Sequence, residues 1–399
     1  MSNRSIYASA ALMAAAALFA VGCSFTTTKS SSDSVDSDLS GRASQTWRSP
    51  DVSDAWKHLA DDMARRGLNE RKLEQFFKSS SLVYTSGPME TKLRELYGIF
   101  YRSELTKEIQ EKLYQLGYDI TIDGRAGSGT RGVVTRFQAD NGLTQTGDIS
   151  DATLASINKV MKTAKTRSLS SYSPPSAKKP SRTATYPQFT KAGVLPTILA
   201  HYRADRELFN AMSRKYNVPG EVAAAIMWVE TGYGNYFGKH LAASQLASMA
   251  AAAYDFDVVA PAVSDLVRSD GGAKTWLKDT AVKRGGWAAD ELAALLSYSF
   301  QNGHDPTSFP GSIYGAIGYG QFMPSNVLKY GVDGSGDGKV DMFNKADAIY
   351  SIGNYLKAHG WTGGGMSEEA RRAVIMKYNK SGVYVNTVLY VADWLAANK

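Results

Sequence analysis

Between Gly311 and Ser325 the chain reads Gly-Ser-Ile-Tyr-Gly-Ala-Ile-Gly-Tyr-Gly-Gln-Phe-Met-Pro-Ser, with glycine at 311, 315, 318 and 320. Glycines at this density oppose a helix, because each loses more backbone freedom on folding than a residue with a Cβ. The flanking sequence carries apolar residues at helical spacing. The pattern predicts a set of helices interrupted by one irregular wall. Bare backbone also lets a ligand approach closely, so this wall is expected to line a pocket. It contains no acid or base, and reactive chemistry has to come from elsewhere in the chain.

A length of 399 residues gives room for two or three domains. A hydrophobic fraction of 43% with 21% charged residues is that of a soluble globular protein. The net charge of +7 favours anionic partners. No Lys/Arg-rich block with interleaved aromatics occurs, so no nucleic-acid partner is expected. Cys23 is the single cysteine and has no internal disulfide partner. It follows Arg4 and an apolar run from Tyr7 to Gly22, with the length and flanks of a signal peptide. Leu18-Phe19-Ala20-Val21-Gly22-Cys23 resembles a bacterial lipobox, which implies lipidation of Cys23 and anchoring at the periplasmic face of the outer membrane. A plain secretory signal is the alternative.

Residues 23–47 are Ser-, Thr- and Asp-rich and read as a tether. Helical periodicity starts near Val52, with Trp56, Leu59 and Met63 on one face, and runs through a first segment, 48–105. Residues 106–162 read as three short helices with turns at Asp123-Gly124 and Asn141-Gly142. The order Leu-Gly-Tyr, Asp-Gly, Gly127, Thr130, Phe137-Gln138, Asn141-Gly142-Leu143 and Thr153 resembles the small peptidoglycan-binding domain. Its motif residues are expected to hold the fold rather than to contact the wall. Residues 163–185 are rich in Ser, Pro and Lys and read as a flexible linker. From 186 to 399 the chain is again mainly helical. His58, His201, His240, His304 and His359 lack metal-ligand spacing, and neither a His-Glu-x-x-His nor a Gly-x-Ser-x-Gly motif occurs.

Asn217-Val218-Pro219-Gly220-Glu221 reads as a helix start with a capping asparagine. Val222, Ala225, Ile226 and Val229 face the core, Glu230 lies at the edge of that face, and Gly232 and Gly234 stop the helix. A carboxyl in the last turn sits at the negative end of the helix dipole, next to apolar residues. Both effects raise its pKa, as a general acid at neutral pH requires.

Trp228-Val229-Glu230-Thr231-Gly232-Tyr233-Gly234, then Gly311 to Ser325, then Tyr378-Asn379-Lys380-Ser381-Gly382-Val383-Tyr384 resemble the lytic murein transglycosylases, closest to the membrane-bound lytic transglycosylase B group. The resemblance implies a mainly α protein: a lysozyme-like helical catalytic domain, with the three-helix peptidoglycan-binding domain inserted in its sequence. It implies non-hydrolytic cleavage between N-acetylmuramic acid and N-acetylglucosamine, with Glu230 as the single general acid and base. Ser312, Gln321, Tyr378, Asn379 and Tyr384 match positions that contact the sugar or the acid. Peptidoglycan glycan strands are then the substrate and no cofactor is required. A hydrolytic muramidase and a non-catalytic wall-anchoring lipoprotein are the alternatives.

Asp333-Gly334-Ser335-Gly336-Asp337-Gly338-Lys339-Val340-Asp341-Met342-Phe343-Asn344 follows the EF-hand template at Asp333, Ser335, Asp337, Gly338 and Asp341, with the Lys339 carbonyl at the seventh position. Asn344 replaces the bidentate acid at the twelfth. The resemblance implies a weak structural calcium site here; a metal-free Gly/Asp turn is the alternative. Asp347 lies too far along to serve as the twelfth ligand.

Overall fold

The computed structural model describes residues 52–174, 183–269 and 273–399. The expected signal peptide, Cys23 and the whole of the expected tether lie outside them, as do residues 175–182 of the linker. The protein is mainly α-helical, as expected. Among the described residues it has one strand pair, two residues long on each side: His240–Leu241 runs antiparallel to Pro310–Gly311, with His240 opposite Gly311. Among the described residues no helix is long and apolar enough to cross a membrane.

The chain forms two compact units. Of the described residues, one comprises 52–88, 183–255 and 285–399. At its centre is the Gly220–Thr231 helix, every residue of which is buried. The run Val-Ala-Ala-Ala-Ile-Met-Trp-Val leaves no polar stripe, and a helix apolar all round finds its partners on all sides. Here the helices Gly382–Asn398, Arg206–Tyr216, Leu195–Ala204 and Lys345–Ala358 supply them. This corrects the expected one-faced helix with Glu230 at an edge. The expected cap is corrected too. Pro219 is the N-cap and no side chain caps the helix. Asn217 instead ends the preceding helix in the left-handed conformation, φ 57°, and its Nδ2 donates to the Thr362 carbonyl at 2.6 Å. The helices Ser53–Arg65 and Ala242–Tyr254 pack together in the same unit.

The other unit comprises the described residues 89–174, 256–269 and 273–284. It contains the three short helices Arg102–Gln115, Ser128–Asp140 and Asp151–Met161 around Ile109, Leu113, Val134, Phe137 and Ile157. The polar residues of the motif hold this fold together. Buried Gln110 accepts from the Asp123 and Gly124 N–H groups and donates to Thr130 Oγ1 at 2.9 Å, while Gln138 accepts from Gly147 N. The unit extends beyond the three-helix module: Arg94 grips Asp265 through two 2.8 Å bonds, and Tyr97, Tyr101 and Trp276 form an aromatic cluster. Part of the stretch expected as linker packs back on the module. Arg167 lies 3.6 Å over the Tyr114 ring, and the Tyr172 hydroxyl accepts from Ile122 N at 2.8 Å.

Candidate active site

Glu230 stands in the last turn of the buried central helix and is 5% exposed. Burial pushes its carboxyl up to about 8; the neighbouring Tyr384 hydroxyl opposes that rise. The two groups are close without forming a well-aligned hydrogen bond, since the Tyr384 hydroxyl has no partner within bonding geometry. Tyr378 and Tyr384 are buried as well. Burial first, and the Glu230 charge second, hold both phenols well above their ordinary 10. Of the predicted residues, the structure therefore brings Glu230, Tyr378 and Tyr384 together.

Tyr186 joins them, and sequence reasoning missed it. Its phenol is raised by burial and by Glu230, with the Ser381 hydroxyl opposing, and its backbone N–H donates to Thr387 Oγ1 at 2.9 Å. Tyr186 opens the segment after the linker, where neither periodicity nor a motif distinguishes it. The acid thus has neutral phenols near it, and since Tyr378 gives its hydrogen to Gly320 O, Tyr186 and Tyr384 are the ones left to donate.

The wall from Gly311 to Ser325 is a double reversal of the chain. Ser312 N donates to Ala316 O at 2.9 Å across the first turn; Ile317 and Phe322 exchange backbone bonds at 2.9 and 3.0 Å across the second. Ser312 Oγ accepts from Tyr314 N and Ala316 N at 3.2 and 3.0 Å, which closes the first turn and leaves its hydrogen free to donate. Gln321 takes a left-handed backbone, φ 48°, and its Nε2 donates to Gly318 O at 3.2 Å. Ser312, Gln321 and Asn379 are buried. No bond joins Ser312 or Gln321 to Glu230.

The glycines serve a different purpose from the expected one. A Cβ on Gly318 would come within 2.4 Å of the Met342 carbonyl, and one on Gly320 within 2.7 Å of the Tyr378 hydroxyl. That hydroxyl donates to Gly320 O at 2.6 Å. Close approach of protein to protein, rather than of ligand to backbone, requires glycine at these two positions. The wall is fastened to the acid's helix by Thr231, whose Oγ1 donates to Tyr319 O at 3.0 Å. Tyr314 is buried at 4% exposure. A separate cavity of ≈ 370 Å³ beside Lys72, Phe76, Phe300 and His304 includes none of these residues.

In the acidic loop, backbone N–H groups surround Asp333: its Oδ1 accepts from Gly336 N at 2.6 Å and its Oδ2 from Gly338 N at 2.8 Å. Asp337 accepts from Lys339 N and Asp341 from Phe343 N, each at 2.9 Å. Ser335 donates its hydroxyl to Asp333 at 3.1 Å. Among the described residues no three or more His, Cys, Asp or Glu side chains converge as metal ligands. The N–H bonds take up part of the lone pairs of Asp333, Asp337 and Asp341, and the remainder, with the Ser335 hydroxyl and the Lys339 carbonyl, is an oxygen donor set of the kind a calcium ion takes. Asp347, fully buried, organises the loop from within by accepting from Gly334 N, Ser335 N and Asp341 N at 3.0, 2.8 and 2.7 Å.

Fold and site together define a helical protein with one buried acid among tyrosines, backed by a glycine-dependent wall. Residues 135–372 match the family model "Transglycosylase SLT domain", and residues 102–157 match "Putative peptidoglycan binding domain". The chain belongs to the transglycosylase SLT domain family. It is 32% identical over 158 residues to membrane-bound lytic murein transglycosylase B of Escherichia coli, a match covering 40% of this chain and 36% of that protein, so the chain spans about a third of the length of this curated relative. Among solved structures, soluble lytic transglycosylase SltB1 of Pseudomonas aeruginosa is similar at 20% identity and TM-score 0.45, over 67% of this chain and 98% of that one. Escherichia coli lytic transglycosylase Slt35 in complex with calcium is similar at 19% identity and TM-score 0.43, over 67% and 93% respectively.

Proposed function

We propose that the protein is a lytic murein transglycosylase that cleaves peptidoglycan glycan strands without water, with Glu230 as its one acid and base. The observation that carries this reading is the Glu230 carboxyl itself: buried, raised to about 8, and, among the described residues, influenced by burial and a tyrosine hydroxyl but by no second carboxylate. Glycosidases that admit water need a second carboxylate, either to activate that water or to form a covalent intermediate. A single acid suffices when the nucleophile belongs to the substrate.

Protonated Glu230 gives its proton to the oxygen of the bond between N-acetylmuramic acid C1 and the following N-acetylglucosamine. As that C1–O bond breaks, the muramic acid 6-hydroxyl oxygen bonds to C1, and the Glu230 carboxylate takes up the hydroxyl proton. The product ends in a 1,6-anhydro ring, and the enzyme recovers its starting state. Burial keeps the acid protonated at neutral pH, the state the first step needs. Tyr186 and Tyr384 orient the carboxyl, Tyr378 holds the wall beside it through Gly320 O and presents its ring to the sugar, and Ser312 and Gln321 from the wall and Asn379 from the end of the Glu368–Tyr378 helix supply polar contacts.

In this reading the module at 106–162 holds the enzyme on the wall, and lipidated Cys23 tethers it to the periplasmic face of the outer membrane. The name of the Escherichia coli relative, membrane-bound, supports an association with a membrane. The acidic loop contributes to stability through Asp347, outside the chemistry. Incubating purified protein with soluble glycan strands, beside a Glu230→Gln variant, tests the role of the acid: the wild type should release fragments and the variant should not. Equal release by both would overturn it.

A further inference from the structure

We propose that Tyr233 and Asp205 form a latch that positions Glu230 for the reaction, a role that rests on Glu230 being the reacting group. Gly232, Tyr233 and Gly234 follow one another with φ of 57°, 62° and 90°. Glycine adopts such backbone freely, and glycine holds the two outer places; a bulky residue there is a conformational outlier. Such an outlier persists where the surrounding structure over-determines it, and outliers of this kind cluster at functional sites.

The side chain of Tyr233 supplies that determination. Its hydroxyl donates to Asp205 Oδ2 at 2.8 Å, and its ring stacks on His201 with centroids 4.7 Å apart. Lys345 bonds the same Asp205 oxygen at 3.0 Å and lies 5.5 Å from the Tyr233 ring centroid. Asp205 occupies the corner between the helices Leu195–Ala204 and Arg206–Tyr216, so the anchor stands on two helix ends at once.

The backbone carries the hold back to the acid. Gly232 N donates to Trp228 O at 2.8 Å and Tyr233 N to Met227 O at 3.1 Å. These two bonds close the turn that contains Glu230. A turn fixed at 227, 228, 232 and 233 holds the Cα–Cβ bond of Glu230 in one direction while Tyr233 stays latched, and with it the range of positions the carboxyl can reach beside Tyr384. Small misplacements of a reacting group are costly in rate, about a hundredfold for 1 Å.

Tyr233→Phe keeps the ring and removes only the latch bond. On soluble glycan strands, well below the unfolding temperature, the variant should show kcat reduced about tenfold with KM within about twofold. The alkaline pKa in its kcat–pH profile should also fall, because a looser turn admits water to the carboxyl. Asp205→Ala should do the same, and the double variant should be no worse than the worse single one. Wild-type kcat and an unmoved pKa in Tyr233→Phe would overturn the latch, even if the variant melts earlier. Should that variant not fold, Lys345→Met decides instead: its side chain is 41% exposed, and a kcat loss of roughly two- to threefold at unchanged KM is expected, with no loss counting against the latch. An active Glu230→Gln variant would remove the functional reading itself, whatever Tyr233→Phe does.

Discussion

Replacing Glu230 by glutamine should stabilise the protein, and more so as pH rises. The folded carboxyl ionises at about 8, the unfolded one near 4.5. Below 4.5 both states hold the proton, so this group costs nothing. Between 4.5 and 8 the unfolded chain releases a proton that the folded protein keeps, and stability falls by roughly 1.4 kcal/mol per pH unit. The loss reaches about 3 kcal/mol at pH 7 and levels off near 5 kcal/mol above pH 8, where both states are ionised. Glutamine has the same shape and no charge to bury, so the variant escapes this loss. For a unit of this size about 3 kcal/mol corresponds to roughly 6–12 °C in melting temperature. Thermal unfolding of wild type and Glu230→Gln from pH 4 to 9 measures the difference directly. A gap that opens between pH 4.5 and 8 is expected. A gap that stays constant across that range would show that the carboxyl is not held in its acid form by burial.

Tyr384→Phe removes the hydroxyl that pulls Glu230 down, so the alkaline limb of the activity profile should move up, by up to about one pH unit, while turnover falls about tenfold. Gly320→Ala should drive a methyl onto the Tyr378 hydroxyl at 2.7 Å and cost about 1–3 kcal/mol of stability, read by denaturant unfolding; an unchanged midpoint would contradict the close-approach account of that glycine. Asp347→Ala strips three backbone N–H groups of their acceptor and should lower stability by at least about 2 kcal/mol.

The mainly helical fold was legible because the apolar residues recur at helical spacing over most of the chain. The place of Glu230 in the last turn of its helix was legible through the two glycines that follow it. The environment of Glu230 was less so. Spacing of Val222, Ala225, Ile226 and Val229 marks one face, but the alanines and Met227 between them are apolar too, and only the surrounding helices decide that all faces are buried. Asn217 reads as a cap by residue type; its left-handed backbone and its bond to Thr362 come from a loop 145 residues away. Tyr186 carries no local signal, because it reaches the acid through tertiary packing against the last helix. Asp347 falls outside the loop template, since it organises the loop by accepting N–H bonds rather than by taking a ligand position.

Single-acid, water-free cleavage is tested most directly by the mass of the ends it creates. Sacculi digested with the purified protein and resolved by mass spectrometry should yield muropeptides that end in 1,6-anhydro-N-acetylmuramic acid, one water lighter than a reducing end. Fragments carrying that water would identify a hydrolase and contradict the account.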